Sequence, residues 1–260
     1  FAVALVLLGH VALSMRAPVE DAQRAIMYAA FFPTSYFFSL PMTEATFLAL
    51  SLAAVLAAQR RRWLIAGFAG GLTALTRFAG ILLLPVLVIM FLIEERDRWY
   101  RMLTLLLVPA GTAAFMSYLN YRTGDALAFV HAQARWGRSA TGFWQPLASY
   151  LGHISHVSEP WNLLTLNFLV SVGCLALGGY LLVTREWAFG VYTLGSVLVP
   201  LMSGSLQSMS RYALVIFPIY LWLARIGRRQ DLDRTILASE AAVFGCLTVL
   251  FVGHLDFAVA

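Results

Sequence analysis

The feature that most constrains this chain is a series of long apolar runs with almost no charge inside them. AIMYAAFFPTSYFF, LALSLAAVLAA, LLTLNFLVSVGCLALGGYLLV and ASEAAVFGCLTVLFV follow one another along 260 residues. Water would pay a large free-energy cost to hydrate such stretches, and several approach the roughly 20 apolar residues needed to cross a bilayer. The runs are continuous and do not alternate apolar with polar, which speaks for helices and against a β-barrel. Only 12% of the residues are charged, against roughly 25% in an ordinary soluble domain. The expected fold is therefore all-α: a polytopic transmembrane helical bundle of about ten helices.

Runs and breakers place the spans at 1–15, 25–40, 43–58, 62–76, 78–93, 102–119, 161–183, 187–203, 211–225 and 236–253. Every cationic side chain is Arg, and all but Arg77, Arg122, Arg135, Arg138 and Arg211 fall in the connections 16–24, 59–62, 94–101, 184–186 and 225–235. The positive-inside rule assigns that set to the cytoplasm. Glu44, Arg77, Arg211 and the one long connection, 120–160, then share the outer face. The loop mixes Trp, Phe and Tyr with polar residues, and a structured loop of that length is more often functional than linking. Gly67-x-x-x-Gly71 reads as a helix-packing motif.

Composition also excludes. The formal net charge is +5, but the arginines sit at expected membrane edges, so nucleic acid is not implied. No P-loop, GxGxxG, HExxH or CxxC motif is present, which leaves a soluble nucleotide site without support. Cys174 and Cys246 both fall inside spans and read as small buried hydrophobes. The chain starts at Phe1 within an apolar run too short to span, so we expect a single transmembrane domain over 1–260 that lacks its N-terminal part, the beginning of its first helix included.

Few residues remain to carry chemistry. Glu44, in SLPMTEATF, either caps the helix that follows it or lines an outward cavity as a carboxylate that binds or deprotonates a hydroxyl. Arg77, in GLTALTRFAGILLLP, either snorkels to water or forms an anion site, since a guanidinium offers a permanently charged fork to two phosphate oxygens. Arg211 and Tyr212, in SLQSMSRYALVIFP, are either an interfacial anchor pair or a second phosphate or sugar contact. In GDALAFVHAQARWGR, His131, Gln133 and Trp136 offer the aromatic and hydrogen-bonding groups that suit a sugar. His153, His156 and Glu159 are spaced to share one helical face, but no cysteine or second carboxylate completes a metal set, so no cofactor or metal is expected.

AAFFPTSYFFSLPMTEATFLAL, GLTALTRFAGILLLP and SLQSMSRYALVIFPIYLWLA, in that order, resemble the bacterial PIG-V-like mannosyltransferases, integral-membrane glycosyltransferases of the GT-C class. The resemblance implies a GT-C-like fold in the cytoplasmic membrane with an outward-facing site. It implies a polyprenyl- or dolichyl-phosphate sugar such as mannose as donor, an acceptor glycan, glycolipid or protein that the residues do not name, and membrane lipids as surroundings. Thr43 and Glu44 match the family's Thr-Glu position, with Glu44 carried over as a catalytic-site residue. Arg77 and Arg211 become contacts to the donor phosphate. The family's main acidic residue lies in its first outer loop, which is expected upstream of Phe1, so the chain 1–260 alone is expected to be inactive. The rival readings are a transporter or flippase, and a non-catalytic membrane subunit. Ionisable groups gathered at one face, without a visible inverted repeat, weigh against transport.

Overall fold

The structure is a computed structural model that describes residues 1–136, 138–152 and 163–253. Among these residues it is all-helical. The α-helices are α1 (Ala2–Ser14), α2 (Val19–Phe31), α3 (Glu44–Gln59), α4 (Trp63–Thr76), α5 (Leu83–Glu94), α6 (Leu107–Thr123), α7 (Ala128–His131), α8 (Gln145–Gly152), α9 (Leu163–Val183), α10 (Trp187–Leu201), α11 (Met209–Ala213), α12 (Pro218–Ile226) and α13 (Gln230–Val252). Short 3-10 helices cover Ser35–Ser39, Phe78–Leu82, Arg96–Leu106 and Ala132–Trp136. Three helical stretches, Asp97–Thr123, Leu163–Val183 and Gln230–Val252, are long and apolar enough to cross a membrane. Five shorter apolar helices accompany them.

Packing is centred on α3 and α4. Helix α3 lies against α1 and α4, α4 against α6, α10 against α9 and α5, and α2 against α12. The closest approach is made by glycine. A Cβ on Gly67 would stand 2.2 Å from the Thr104 carbonyl oxygen, one on Gly71 2.5 Å from that of Leu107, and one on Gly111 2.1 Å from that of Gly71. The Gly67-x-x-x-Gly71 motif thus lets α4 touch the end of the 3-10 segment Arg96–Leu106 at Gly67 and the start of α6 at Gly71, backbone to backbone, where dispersion and weak Cα–H contacts replace side-chain packing.

Two spans expected to be single helices are broken, each at a residue with a physical reason to break. The 25–40 span stops at Phe31, because Phe32 precedes Pro33 and is driven to extended backbone (φ −52°, ψ 139°). The 211–225 span divides into α11 and α12 around Pro218, which cannot donate into the preceding turn. The carbonyls so released are recovered by side chains: the Tyr220 hydroxyl donates to Leu214 O at 2.7 Å and the Tyr192 hydroxyl to Val215 O at 3.0 Å. Such recovery is what makes a broken helix tolerable in an apolar interior. The 78–93 span begins as a 3-10 turn folded onto the end of α4, where a Cβ on Gly80 would lie 2.5 Å from the Ala74 amide nitrogen. The loop expected from residue 120 starts later, after Gly124 ends α6 in the left-handed conformation (φ 74°).

The arginine-rich connections converge at one end of the helices. Asp21 accepts from Arg24 at 2.9 Å and from Arg228 at 2.7 Å, Arg225 clasps Glu186, and Glu95 holds Arg101 at 2.7 Å and the Trp63 indole. Hydrogen bonding to Asp21 raises the Arg228 guanidinium above its ordinary value.

The close approach of α4 to the Arg96–Leu106 segment yields a test. Gly67→Ala is expected to destabilise the fold by on the order of 1–3 kcal/mol, since a backbone must move. Gly173→Ala in α9, where an added Cβ meets nothing within 4 Å, is expected to leave the thermal midpoint unchanged or raise it slightly. Equal midpoints for the two variants would refute the close-packing argument.

Candidate functional site

Glu44 opens α3 and is fully buried. Its Oε1 accepts from Arg77 Nη1 at 2.7 Å and from Arg211 Nε at 2.7 Å, with Arg211 Nη2 at 2.6 Å. The two arginines come from opposite halves of the chain and remain partly exposed, at 22% and 27% of their side chains. A carboxylate without water needs such partners, because burying an isolated charge is very costly. Glu44 Oε2 is buried and has no hydrogen-bond partner among the described residues. No side-chain cap is made by Thr43, which is exposed at the helix start.

Each arginine is placed by a local break. Arg77 ends α4 in extended backbone (φ −151°, ψ 141°), between the helix and the 3-10 turn pinned at Gly80. Arg211 lies on α11, a single turn anchored on both sides of Ser210. The Ser210 amide donates to Asn167 Oδ1 on α9 at 2.9 Å, and its carbonyl accepts from the Thr34 hydroxyl at 3.1 Å. The Arg211 guanidinium also rests 4.9 Å over the Phe37 ring, in the 3-10 turn that follows Pro33.

A third guanidinium arrives from the long loop. The Ser139 amide donates to Ser203 O at 3.2 Å and the Thr141 amide to Met202 O at 2.9 Å, so this part of the loop is strapped to the end of α10. Arg138, at the start of the strap, donates from Nη1 to the Tyr212 hydroxyl and to Gln133 Oε1, both at 3.0 Å. Its Nε is buried without a partner among the described residues. Arg77 and Arg138 both lie over the Tyr212 ring, at 5.8 and 5.9 Å from its centroid. Arg77 and Arg211 thus hold the Glu44 carboxylate, Arg138 joins Arg77 over Tyr212, and the cluster carries surplus positive charge.

Beside this cluster lies a cavity of about 560 Å³. Arg77, His131, Gln133, Arg138 and Tyr212 supply its polar wall. Phe47, Phe78, Leu82, Phe129, Val199 and Met202 contribute to an apolar wall that is far larger. Helix α7 is seated on that wall through Phe129, whose ring lies 5.2 Å from Phe78 and 5.9 Å from Phe115. A space with a long greasy side and a cationic end suits a ligand with an apolar tail and an anionic head.

Of the residues singled out in the sequence, Arg77, His131, Gln133 and Tyr212 line the cavity. Glu44 and Arg211 stand behind them, and Thr43 lies away at the surface. The expectation that Glu44 lines the cavity is therefore corrected: Glu44 is enclosed and acts on the wall through Arg77. The Trp136 side chain, and His153, His156 and Glu159, lie outside the described residues. Among the described residues, no group of three or more His, Cys, Asp or Glu is placed to hold a metal ion. Arg138, Asn167 and Thr34 were not anticipated. Arg138 carried a signal, as one of the few arginines outside the arginine-rich connections, whereas the pinning roles of Asn167 and Thr34 have none in the sequence.

No family model, no curated protein and no solved structure matches the chain.

Two predictions follow from this geometry. Glu44→Gln keeps the shape but leaves Arg77 and Arg211 facing each other without a counter-charge. It is expected to cost about 3–5 kcal/mol, and Arg77→Gln, which leaves Glu44 one guanidinium, should cost less; thermal unfolding in detergent compares them. On the loop, His131 Nδ1 lies 2.7 Å from Asp125 Oδ2, and the Leu127 amide donates to Asp125 Oδ1 at 2.9 Å. The His131 hydrogen bond, then the Leu127 amide, hold the Asp125 carboxyl below its ordinary value of 3.8. Because that value is depressed on folding, the pairing stabilises the loop above pH 3.8 and the contribution is lost as pH falls further. Asp125→Asn should abolish this pH response in amide exchange of residues 125–131.

Proposed function

We infer that this protein is a multi-pass integral-membrane glycosyltransferase that moves a sugar, mannose in the first instance, from a polyprenyl- or dolichyl-phosphate donor to an acceptor outside the membrane. The observation that carries the reading is the meeting of Arg77, Arg138 and Arg211, with one carboxylate among them, at the end of a largely apolar cavity. The resemblance of the three sequence segments to the PIG-V-like mannosyltransferases points the same way. So does the segregation of most arginines to the opposite end, which would be cytoplasmic in a bacterial inner membrane.

In such a reaction the acceptor hydroxyl attacks the anomeric carbon, the bond from that carbon to the phosphate oxygen breaks, and the lipid phosphate leaves with the electron pair. A base takes the hydroxyl proton. The leaving group gains negative charge as the bond breaks, so fixed cations beside it lower the barrier more than they tighten ground-state binding. Arg77 and Arg138, on the cavity wall, would hold the phosphate, and Tyr212, whose ring lies under both guanidinia and whose hydroxyl accepts from Arg138, would orient them. Glu44 is a poor base in this arrangement, since both its arginines hold its ionised form and no acceptor reaches it. Its role here is positioning: it fixes Arg77 and Arg211 and offsets part of their repulsion. Gln133 and His131 are suited to sugar hydroxyls. The apolar wall would take the first isoprene units of the tail.

The test is sugar transfer in membranes of cells expressing the protein, supplied with labelled polyprenyl-phosphate mannose, glucose or arabinose. One donor should be used. Arg138→Ala is expected to raise the KM for that donor about ten- to hundredfold, the cost of a charge-assisted contact to phosphate, with expression unchanged. Glu44→Gln should lower kcat as well, because two arginines lose their register. Transfer from none of the donors, with both variants behaving as the parent, would overturn the reading and favour the transporter or subunit alternatives.

A further inference from the structure

At the arginine-rich end, away from the cavity, α3 passes into α4 through a tight turn in which Arg61 adopts a left-handed conformation (φ 57°). The turn presents Arg60, Arg61 and Arg62 at the surface. Against it lies the 3-10 helix Arg96–Leu106, which brings Arg101 and Thr104 opposite Arg62, Leu64 and Ile65. Between the two segments is a groove of about 330 Å³.

The acidic side chains nearby are already committed. Glu95 is held by Arg101 at 2.7 Å, by Arg98 at 3.6 Å and by the Trp63 indole, and Glu94 lies 3.7 Å from Arg61. Asp97 is exposed. Arg60, Arg61, Arg62, Arg98 and Arg101 outnumber these three carboxylates, and Arg62 has no ion-pair partner among the described residues. The groove is therefore electropositive, with spare guanidinium donors.

What runs down from the groove is apolar and uncovered. On α4, Leu64, Phe68 and Leu75 recur at helical spacing and are 63%, 60% and 41% exposed; on the facing segment Leu103 and Leu106 are 57% and 59% exposed. The second segment belongs to Asp97–Thr123, one of the three stretches able to cross a membrane. A cationic pocket at the start of a spanning stretch, continued by an open apolar face, matches a molecule with a phosphate head and two acyl chains. A soluble anion would use only the pocket, and a neutral lipid only the face.

We propose that the groove between Arg61–Ile65 and Arg101–Thr104 is a binding site for an anionic diacyl phospholipid of the arginine-rich leaflet. Its phosphodiester is taken by Arg62 and Arg101, and its chains lie along Leu64, Phe68, Leu103 and Leu106. This site is separate from the cavity and does not depend on the glycosyltransferase reading.

The experiment is thermal unfolding of the purified full chain in neutral detergent, with dioleoylphosphatidylglycerol, dioleoylphosphatidylcholine or inorganic phosphate added. Phosphatidylglycerol is expected to raise the midpoint by roughly 2–4 °C at saturation, and the other two additives not to. Arg62→Gln should lose at least half of that shift while keeping its own basal midpoint. Leu64→Asn, at an exposed position, should lose it as well and serves if Arg62→Gln does not fold. An equal shift with phosphatidylcholine would reduce the groove to an ordinary apolar surface. An equal shift with inorganic phosphate would make it a free-anion site. A full shift retained in both variants would place the lipid elsewhere. Each of these three results overturns the proposal.

Discussion

The Glu44 carboxylate, closed off from water, holds two guanidinia that come from positions 33 and 167 residues away in sequence. Much of the architecture around it can be understood as what that arrangement requires. The carboxylate must sit at a helix start, where the unsatisfied backbone amides favour negative charge. Arg77 must leave its helix to reach it, and the turn onto Gly80 makes that exit. Arg211 must be carried on a short helix that neither slides nor frays, and Thr34 and Asn167 hold Ser210 from two sides. A pair of this kind contributes less to net stability than to geometry, because desolvation offsets much of the attraction. What it fixes is the relative placement of α3, the end of α4 and α11, and hence the polar end of the cavity.

The breaks in the helices are the second theme. An unbroken bundle would satisfy its backbone polar groups within each helix and leave only those of the helix ends to find other partners. Here Pro33 and Pro218 end helices early, and the freed groups are taken by hydroxyls of Thr34, Tyr192 and Tyr220. The irregular segments so created, 32–43, 77–82 and 202–217, all lie around the cluster, and the loop strap at 138–141 closes onto the last of them. Irregular backbone in an apolar body is affordable where its polar groups are satisfied or where it borders a cavity. This protein uses both conditions at one end, while the other end is built from short turns and ion pairs.

The sequence by itself determined the helical class, the approximate limits of several apolar stretches, and the partition of arginines into a large set and a small one; of the ten expected spans, three helical stretches are long and apolar enough to cross a membrane. Those properties are local: they depend on apolar run length, on Pro and Gly, and on charge counted by connection. The GxxxG contact was also legible, because small residues at that spacing leave a helix face flat. Arg77, Arg211, Tyr212 and Gln133 were legible as candidates for the same reason, being polar groups stranded at one side of an apolar chain.

Only the tertiary structure decided which partner each of them took. That Glu44 would be enclosed, and not open to the cavity, follows from the simultaneous approach of α4 and α11, which no run or spacing encodes. That Arg138 would stack with Arg77 on Tyr212 depends on backbone hydrogen bonds between the loop and the end of α10. The break of the 211–225 stretch at Pro218 is tolerated because the Tyr192 and Tyr220 hydroxyls stand where they donate to the released carbonyls. Each of these outcomes joins residues far apart in the chain, and their free energy exists only once the helices have docked.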